Sequence, residues 1–196
     1  MTENPDIFPI GLAVLCIIAL WGLARKIRRR FPIVFKARVL YVCDGDTVHV
    51  RRNFSRVKVR IAGIDAPETE QPYGEESREL LEKLVGGKRV EVRLLDVDIY
   101  GRYVSQMRCE GRDIGLAMLQ AGLAWPYFRF MRRMRKEDRL KYRAAVDKAR
   151  GAGAGLWRER KPTAPWEWRR QHRSLLDRIL LWLRLLIRRL SGRSMY

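Results

Sequence analysis

Four segments of this 196-residue chain place side chains that could do chemistry at or near the ends of predicted strands. They are residues 44–47, which read DGDT; Arg60 with the following segment 64–68; residues 98–102; and the aromatic and basic segment 125–136. Taken singly, each is also explained by ordinary structure, because Asp-Gly is a common turn dipeptide and Ala-Pro-Glu is typical of loops. Their conjunction in one small β-rich block is informative, since a closed barrel brings the ends of its strands together.

The residue types in these segments point to phosphodiester chemistry. Carboxylate oxygens without sulfur or imidazole suit Ca²⁺ or Mg²⁺, and the planar fork of arginine holds phosphate oxygens in two-point contacts. A metal ion and two arginines offset the charge that grows on a phosphodiester transition state. A remaining carboxylate can then orient or deprotonate a water molecule.

The spacing of Arg60 and Asp65 sets a condition on this hypothesis. Their separation is odd, so in a regular strand the two side chains point to opposite faces. They can share one site only if Gly63, or the break at Pro67, changes the register of the chain.

Composition narrows the classes of protein that remain. The chain has 41 Lys and Arg against 22 Asp and Glu, a net charge of +19, which predicts a polyanionic partner such as nucleic acid or an anionic membrane. Three cysteines argue against a disulfide framework. The two histidines are far apart and no CxxC or HxxxH occurs, which argues against a zinc site.

Period-two alternation and helical spacing predict the elements that must position these residues. The expected strands are 35–43, 46–52, 55–63, 89–96 and 102–109, and the expected helices are 75–85, 113–120 and 136–150. The glycine-rich segment 151–155 and two prolines that follow it predict the end of this block.

The two ends of the chain suggest a membrane. Residues 7–24 are uncharged and mostly apolar, and the basic residues follow rather than precede them, which favours a retained single-pass transmembrane anchor over a cleaved signal peptide. The same asymmetry favours the cytoplasmic side over the extracytoplasmic side for the following domain. Residues 175–190 predict a basic amphipathic helix that either lies in the membrane interface or packs on the domain or a partner.

Five motifs in order, DGDT, VRIAGIDAPE, YGEE, DIYGR and QAGLAW, resemble the staphylococcal nuclease family over residues 35–157. The resemblance implies an α+β fold, an OB-type five-stranded barrel with three helices, and Ca²⁺-dependent cleavage of DNA and RNA. The expected domains are an anchor with its basic flank at 1–30, the nuclease domain at 31–157, and a linker with the amphipathic helix at 158–196. The Gly155-Leu-Trp157 and Pro165-Trp-Glu-Trp168 segments also resemble bacterial members.

The resemblance also implies roles for individual residues, motif by motif. The matching positions are Asp46, Asp65 and the Ala66 carbonyl for the metal, Glu68 as general base, Arg60 and Arg102 for phosphate, Tyr100 for a terminal phosphate, Phe128 and Phe130 or the neighbouring Tyr127 for nucleotide packing, and Asp44 and Thr47 in support. Ile99 departs from the pattern, because the best-known member has a lysine there.

Two other functions remain open at this stage. One is a catalytically silent OB-fold that tethers nucleic acid to a membrane, and the other is a polybasic membrane-surface protein whose barrel is a scaffold. The presence of the full carboxylate and arginine set favours a nuclease, because binding alone requires only basic and aromatic surface.

Overall fold

A computed structural model describes residues 33–172 and the single position 186. Five strands form the barrel: β1 (Val34–Asp44), β2 (Thr47–Arg52), β3 (Ser55–Ile61), β5 (Arg89–Val97) and β6 (Tyr103–Cys109). Antiparallel pairs run in the order β3–β2–β1–β5–β6, and a parallel β3–β6 pair closes the barrel. The predicted α+β fold with a closed five-stranded, OB-like barrel is confirmed.

Shorter elements cover the barrel. The three predicted helices are present as α1 (Gly74–Val85), α2 (Ile114–Gln120) and α4 (Lys136–Gly151). Three further strands have two residues each: β4 (Ile64–Asp65), β7 (Arg112–Asp113) and β8 (Trp125–Pro126). The structure adds the one-turn helix α3 (Phe128–Met131), a 3₁₀ turn at Gly155–Arg158, and the helix α5 (Pro165–His172), none of which the sequence analysis predicted.

Alternating apolar side chains build the core of the barrel. Val48 and Val50 of β2, Val59 of β3 and Val92 of β5 are fully buried, as period-two alternation requires of strands with one face inward. Tyr142 of α4 is buried against this core, and its hydroxyl donates a hydrogen bond to Asp113 at 2.6 Å. The barrel therefore provides a rigid frame for the loops at its ends.

The chain leaves β3 two residues earlier than predicted. β3 ends at Ile61, and Gly63 has a φ of +81°, a left-handed conformation that glycine adopts without strain. A Cβ at this position would also lie 2.9 Å from the sulfur of Met134. The turn sends the chain into β4, which pairs with β8 through Asp65 and Trp125. This is the register change that Arg60 and Asp65 need in order to share a site.

The predicted transmembrane segment 7–24 and all but position 186 of the predicted helix 175–190 lie outside the described residues. Among residues 33–172 and 186, no helix is long and apolar enough to cross a membrane.

Candidate active site

Asp46 is held by a tight turn between β1 and β2. Its backbone N–H donates to Asp44 Oδ1 at 2.9 Å, and its own Oδ1 accepts a hydrogen bond from Thr47 Oγ1 at 2.7 Å. Gly45 makes this turn possible, because a Cβ there would lie 1.9 Å from the hydroxyl of Ser77 on α1. Asp46 is only 2% exposed. The DGDT motif thus places one carboxylate in a fixed, buried position.

Arg60 joins Asp46 to the segment that follows β3. Thr47 of β2 pairs with Arg60 of β3, so the arginine lies beside the DGDT turn. Its Nη2 lies 2.8 Å from Asp46 Oδ2 and also contacts Asp65 Oδ1. Burial lowers the pKa of Arg60, but the charges of Asp46 and Asp65 outweigh that effect and hold the pKa above its ordinary value. The guanidinium therefore stays charged and bridges two carboxylates from separate segments.

Arg169 of α5 completes the cluster. Its Nη2 donates to Asp65 Oδ2 at 2.7 Å, and its Nη1 donates to Glu68 Oε1 at 2.7 Å and to Asp65 Oδ1 at 3.2 Å. Burial lowers the pKa of Arg169, and hydrogen bonds and charge from Asp65 and Glu68 raise it to a net value above the ordinary one. Asp65, fully buried, is thus held by two guanidinium groups.

Glu68 lies at the edge of this cluster, with 40% of its side chain exposed. A small loop holds its backbone: Gln71 N–H donates to the Glu68 carbonyl at 2.9 Å, and the Glu68 N–H donates to Gln71 Oε1 at 3.2 Å. Gly74 is needed beside it, because a Cβ there would lie 1.9 Å from the Glu68 carbonyl oxygen. Glu68 therefore combines a fixed backbone with a carboxylate that water can reach.

Arg102 and Tyr100 lie on the turn between β5 and β6. Asp98 organises the turn, because its Oδ1 accepts the backbone N–H groups of Tyr100 at 2.8 Å and Arg102 at 2.9 Å. Its Oδ2 accepts from Arg102 Nε at 2.6 Å. The Arg102 guanidinium carbon lies 5.2 Å from the centroid of the Tyr100 ring. These contacts are all local to residues 98–102.

The pKa of the Cys43 thiol depends on charges in the DGDT turn and on the charge of Arg102. Burial raises the pKa of Cys43; Lys58 and Arg102 lower it, while Asp44 and Asp46 raise it. Thr47 and Val104 both pair with Arg60 of β3, so the DGDT turn and the start of β6, next to Arg102, lie at the same end of the barrel.

The predicted nucleotide-packing rings lie after β8. The N–H of Tyr127 donates to the Gly63 carbonyl at 2.9 Å, and the Tyr127 and Phe130 rings pack with centroids 5.2 Å apart. Phe128 is exposed, with the guanidinium of Arg143 from α4 5.8 Å from its ring centroid. No described contact joins these rings to the carboxylate cluster, so their role in packing a nucleotide stays a prediction.

The donor set fits a hard cation in its chemistry. Asp46 Oδ2 accepts the N–H of Ala66 at 3.1 Å, so both metal-assigned carboxylates and the Ala66 peptide are adjacent. Burial, reinforced by the charge of Asp46, raises the pKa of Asp44 to about 7. Within the described part of the chain, no group of three or more His, Cys, Asp or Glu side chains has the arrangement of a metal site. The carboxylate oxygens instead face Arg60 and Arg169.

Arg169 belongs to none of the sequence motifs from which the site residues were predicted. Ala164-Pro165 followed by polar and aromatic residues is a helix-start signal, because proline is favoured at the first helical position, and it could have predicted α5. No local pattern shows which side chain of α5 reaches Asp65, 104 residues away in the sequence.

The fold and the site define a small OB-type barrel with a buried cluster of carboxylates and arginines at one end. The family described as "Staphylococcal nuclease homologue" matches residues 58–159, just over half of the chain. The chain belongs to the staphylococcal nuclease family.

Named relatives agree with this membership. A probable staphylococcal-like nuclease from Oryza sativa subsp. japonica is 39% identical over 132 residues, which are 67% of this chain and 33% of that protein. An uncharacterized endonuclease from Escherichia coli is 36% identical over 133 residues, 67% of this chain and 83% of that protein. One from Haemophilus influenzae is 34% identical over 137 residues, 69% of this chain and 74% of that protein. The match therefore spans about a third of the plant relative and most of the bacterial ones.

Proposed function

We propose that this protein is a Ca²⁺-dependent nuclease that hydrolyses phosphodiester bonds of DNA and RNA. One observation carries the proposal: Arg60 bridges Asp46 and Asp65 while Arg169 links Asp65 to Glu68. Residues from three separate segments, assigned by motif to metal, phosphate and base, are thereby in one continuous cluster. A binding protein needs no such buried set of charges, because groove charge and stacking surfaces suffice for it.

Each residue has a distinct task in this proposal. Arg60 and Arg102 hold the phosphate through their planar forks and offset the charge that develops on it. Glu68, the most exposed carboxylate of the cluster, orients and deprotonates the attacking water. Asp46, Asp65 and the Ala66 carbonyl would hold the cation, which would supply Lewis-acid neutralisation of the phosphate charge.

A digestion assay tests the proposal directly. The full-length chain, purified in detergent micelles, is mixed with single-stranded DNA or RNA in the presence of Ca²⁺ or of excess chelator, and acid-soluble nucleotide is measured. Nucleotide release in Ca²⁺ that stops with chelator is the expected result. Full activity in excess chelator would refute the cation requirement, and a metal-independent gel shift without cleavage would favour the silent binding protein.

We further propose that the nuclease is attached to a membrane by residues 7–24 and faces the cytoplasm. The support is the apolar run and the basic residues that follow it in sequence. Fusions of alkaline phosphatase and of a fluorescent protein to the C-terminus separate the two orientations. We expect an inactive phosphatase fusion and a fluorescent protein fusion that emits light. The reverse pattern would place the domain on the extracytoplasmic side.

The C-terminal residues 173–196 are proposed to add attachment to anionic lipid through basic and apolar side chains. A chain that ends at residue 172 keeps α5 and should cleave nucleic acid at the full-length rate while binding anionic vesicles more weakly. Unchanged vesicle binding would contradict this role for the C-terminal segment.

A further inference from the structure

Arg169 holds the carboxylates that the proposed cation needs. Its guanidinium donates hydrogen bonds to both oxygens of Asp65 and to one oxygen of Glu68, with nitrogen–oxygen distances of 2.7 to 3.2 Å. Arg60 contacts the same Asp65 Oδ1 and also Asp46 Oδ2. The other oxygen of Asp46, Oδ1, accepts a hydrogen bond from the hydroxyl of Thr47. Every carboxylate oxygen of the two metal-assigned aspartates therefore already has a donor.

Arg169 donates to both oxygens of Asp65, whereas Arg60 contacts only Oδ1, so a divalent cation on Asp65 Oδ2 must displace the guanidinium of Arg169 and can leave that of Arg60 in place. Calcium binds carboxylate oxygens at about 2.3–2.6 Å, and it would then lie close to a guanidinium that donates to the same oxygens. Two positive groups at that separation in a poorly hydrated site repel each other strongly. Asp65 nevertheless requires a positive partner at all times, because it is fully buried and an unpaired buried carboxylate is costly.

The helix that carries Arg169 has its own attachment to the domain. Gln71 Nε2 donates to the Thr163 carbonyl at 2.6 Å, immediately before α5. Within α5, Trp166 packs edge-on against Trp125 with ring centroids 5.4 Å apart. These contacts do not involve Arg169. Its side chain can therefore leave the carboxylates while the helix stays in place.

We propose that Arg169 is a tethered competitor of the divalent cation: its guanidinium occupies the Asp65 and Glu68 end of the cation site, and cation binding expels it. This rests on the proposed function, because it requires Asp65 to be a cation ligand. In the cation-free chain Arg169 neutralises Asp65 and keeps Glu68 engaged. Entry of the cation frees Glu68 to act on water, so the active arrangement forms only when the cation is present.

The proposal predicts a change in cation affinity. An internal competitor lowers the apparent affinity by the fraction of molecules in which the site is free. A two-point, charge-assisted contact that is mostly shielded from water would leave roughly 1–10% of the sites free. Removing the competitor should then tighten Ca²⁺ binding by about 10–100-fold.

Titration calorimetry with Ca²⁺ on the full-length chain in detergent micelles tests this. Arg169→Gln should bind Ca²⁺ about 10–100-fold more tightly than the wild type. Arg170→Gln is the matched control, because Arg170 is exposed on the same helix and its loss changes the net charge equally. It should bind within about twofold of the wild type. Arg169→Lys, which keeps the charge but loses the fork, should lie between the two.

Thermal unfolding gives a second readout that needs no activity. Without Ca²⁺, Arg169→Gln should melt below the wild type because Asp65 loses a partner, and Ca²⁺ should raise its melting temperature more than that of the wild type. If Arg169→Gln does not fold, the Ca²⁺ affinity of Arg169→Lys alone tests the competitor role. Unchanged or weaker Ca²⁺ binding in the variant that folds would overturn the proposal.

The outcomes separate this proposal from the nuclease proposal. If the wild type cleaves in Ca²⁺ and Arg169→Gln binds Ca²⁺ no more tightly, only the competitor role fails. If neither chain binds Ca²⁺ and cleavage continues in chelator, the cation requirement fails and the competitor role fails with it.

Discussion

Arg60 and Arg102, the two arginines assigned to phosphate, are held in contrasting ways. Arg60 bridges Asp46 and Asp65, carboxylates from two different segments, and its side chain is 10% exposed. Arg102 pairs with Asp98 of its own turn, and its side chain is 21% exposed. The contacts of Arg60 thus hold the end of the barrel together, whereas those of Arg102 organise only residues 98–102.

From these contacts we expect some substitutions to lower only the catalytic rate and others to lower the stability of the fold as well. Breaking a buried ion pair by removing one partner is strongly destabilising, because the remaining charge stays buried without compensation. The Arg102–Asp98 pair joins residues of a single turn, so its loss leaves the segments of the barrel connected, and water screens its more exposed arginine in part. Substitution of Arg60 should therefore affect both rate and melting temperature, and substitution of Arg102 should affect the rate alone.

Substitution of Glu68 should have the largest kinetic effect. It adds a third case to Arg60 and Arg102, one in which the rate should change strongly and the stability little. Its carboxylate joins the cluster through Arg169 but is 40% exposed. Glu68→Gln should slow turnover by roughly 10²–10⁴-fold if it is the base, with a small change in melting temperature. Steady-state rates at saturating Ca²⁺ measure this, with Glu70→Gln as the exposed control on the same loop. A wild-type rate in Glu68→Gln would remove the assignment as base.

Arg60→Lys tests the buried member of the pair. The ammonium keeps the charge but has no planar fork with which to bridge Asp46 and Asp65 or hold phosphate. Activity should fall by roughly 10²–10³-fold, typical of losing one transition-state donor, and the melting temperature should drop. Arg56→Lys on the exposed end of β3 is the control. If Arg60→Lys melts like the wild type, the contrast with Arg102 is lost.

Arg102→Lys tests the less buried member. The site around it is wetter, so a lost donor should cost less than at Arg60, about 10–100-fold in rate. The melting temperature should stay close to that of the wild type. Measuring rate and unfolding on one preparation checks both expectations, and a destabilisation as large as that of Arg60→Lys would refute the distinction.

Asp98→Asn should have the smallest effect. Asp98 contacts Arg102 and backbone groups of its own turn, so it positions the arginine rather than the phosphate. The expected loss is less than about tenfold and should appear in KM more than in kcat, because a looser Arg102 weakens substrate binding. Asp96→Asn, which removes a separate ion pair with Arg133, should leave KM unchanged. A loss confined to kcat would contradict the role of Asp98 in positioning Arg102 for substrate binding.

Local patterns predicted the barrel well. Alternation in 35–43 and 46–52 reflects strands that bury one face, and the structure has them at Val34–Asp44 and Thr47–Arg52. The strand predicted over 55–63 ends at Ile61 instead, because Gly63 takes a left-handed conformation. The odd spacing of Arg60 and Asp65 had already shown that such a break was needed. Only the structure shows that it falls before Asp65 and not at Pro67.

The amino-acid sequence shows the residue types, the strand periodicity and the order of the motifs, because each of these depends only on neighbouring positions. Together with the family resemblance, it predicted that Asp46, Asp65, Glu68, Arg60 and Arg102 belong together, and the described contacts join the first four of these. That Arg169 joins them is visible only in the folded chain, because the contact depends on how α5 docks on the domain, 104 residues after Asp65. Helical spacing specifies a face of a helix, but the partner of that face is selected by packing.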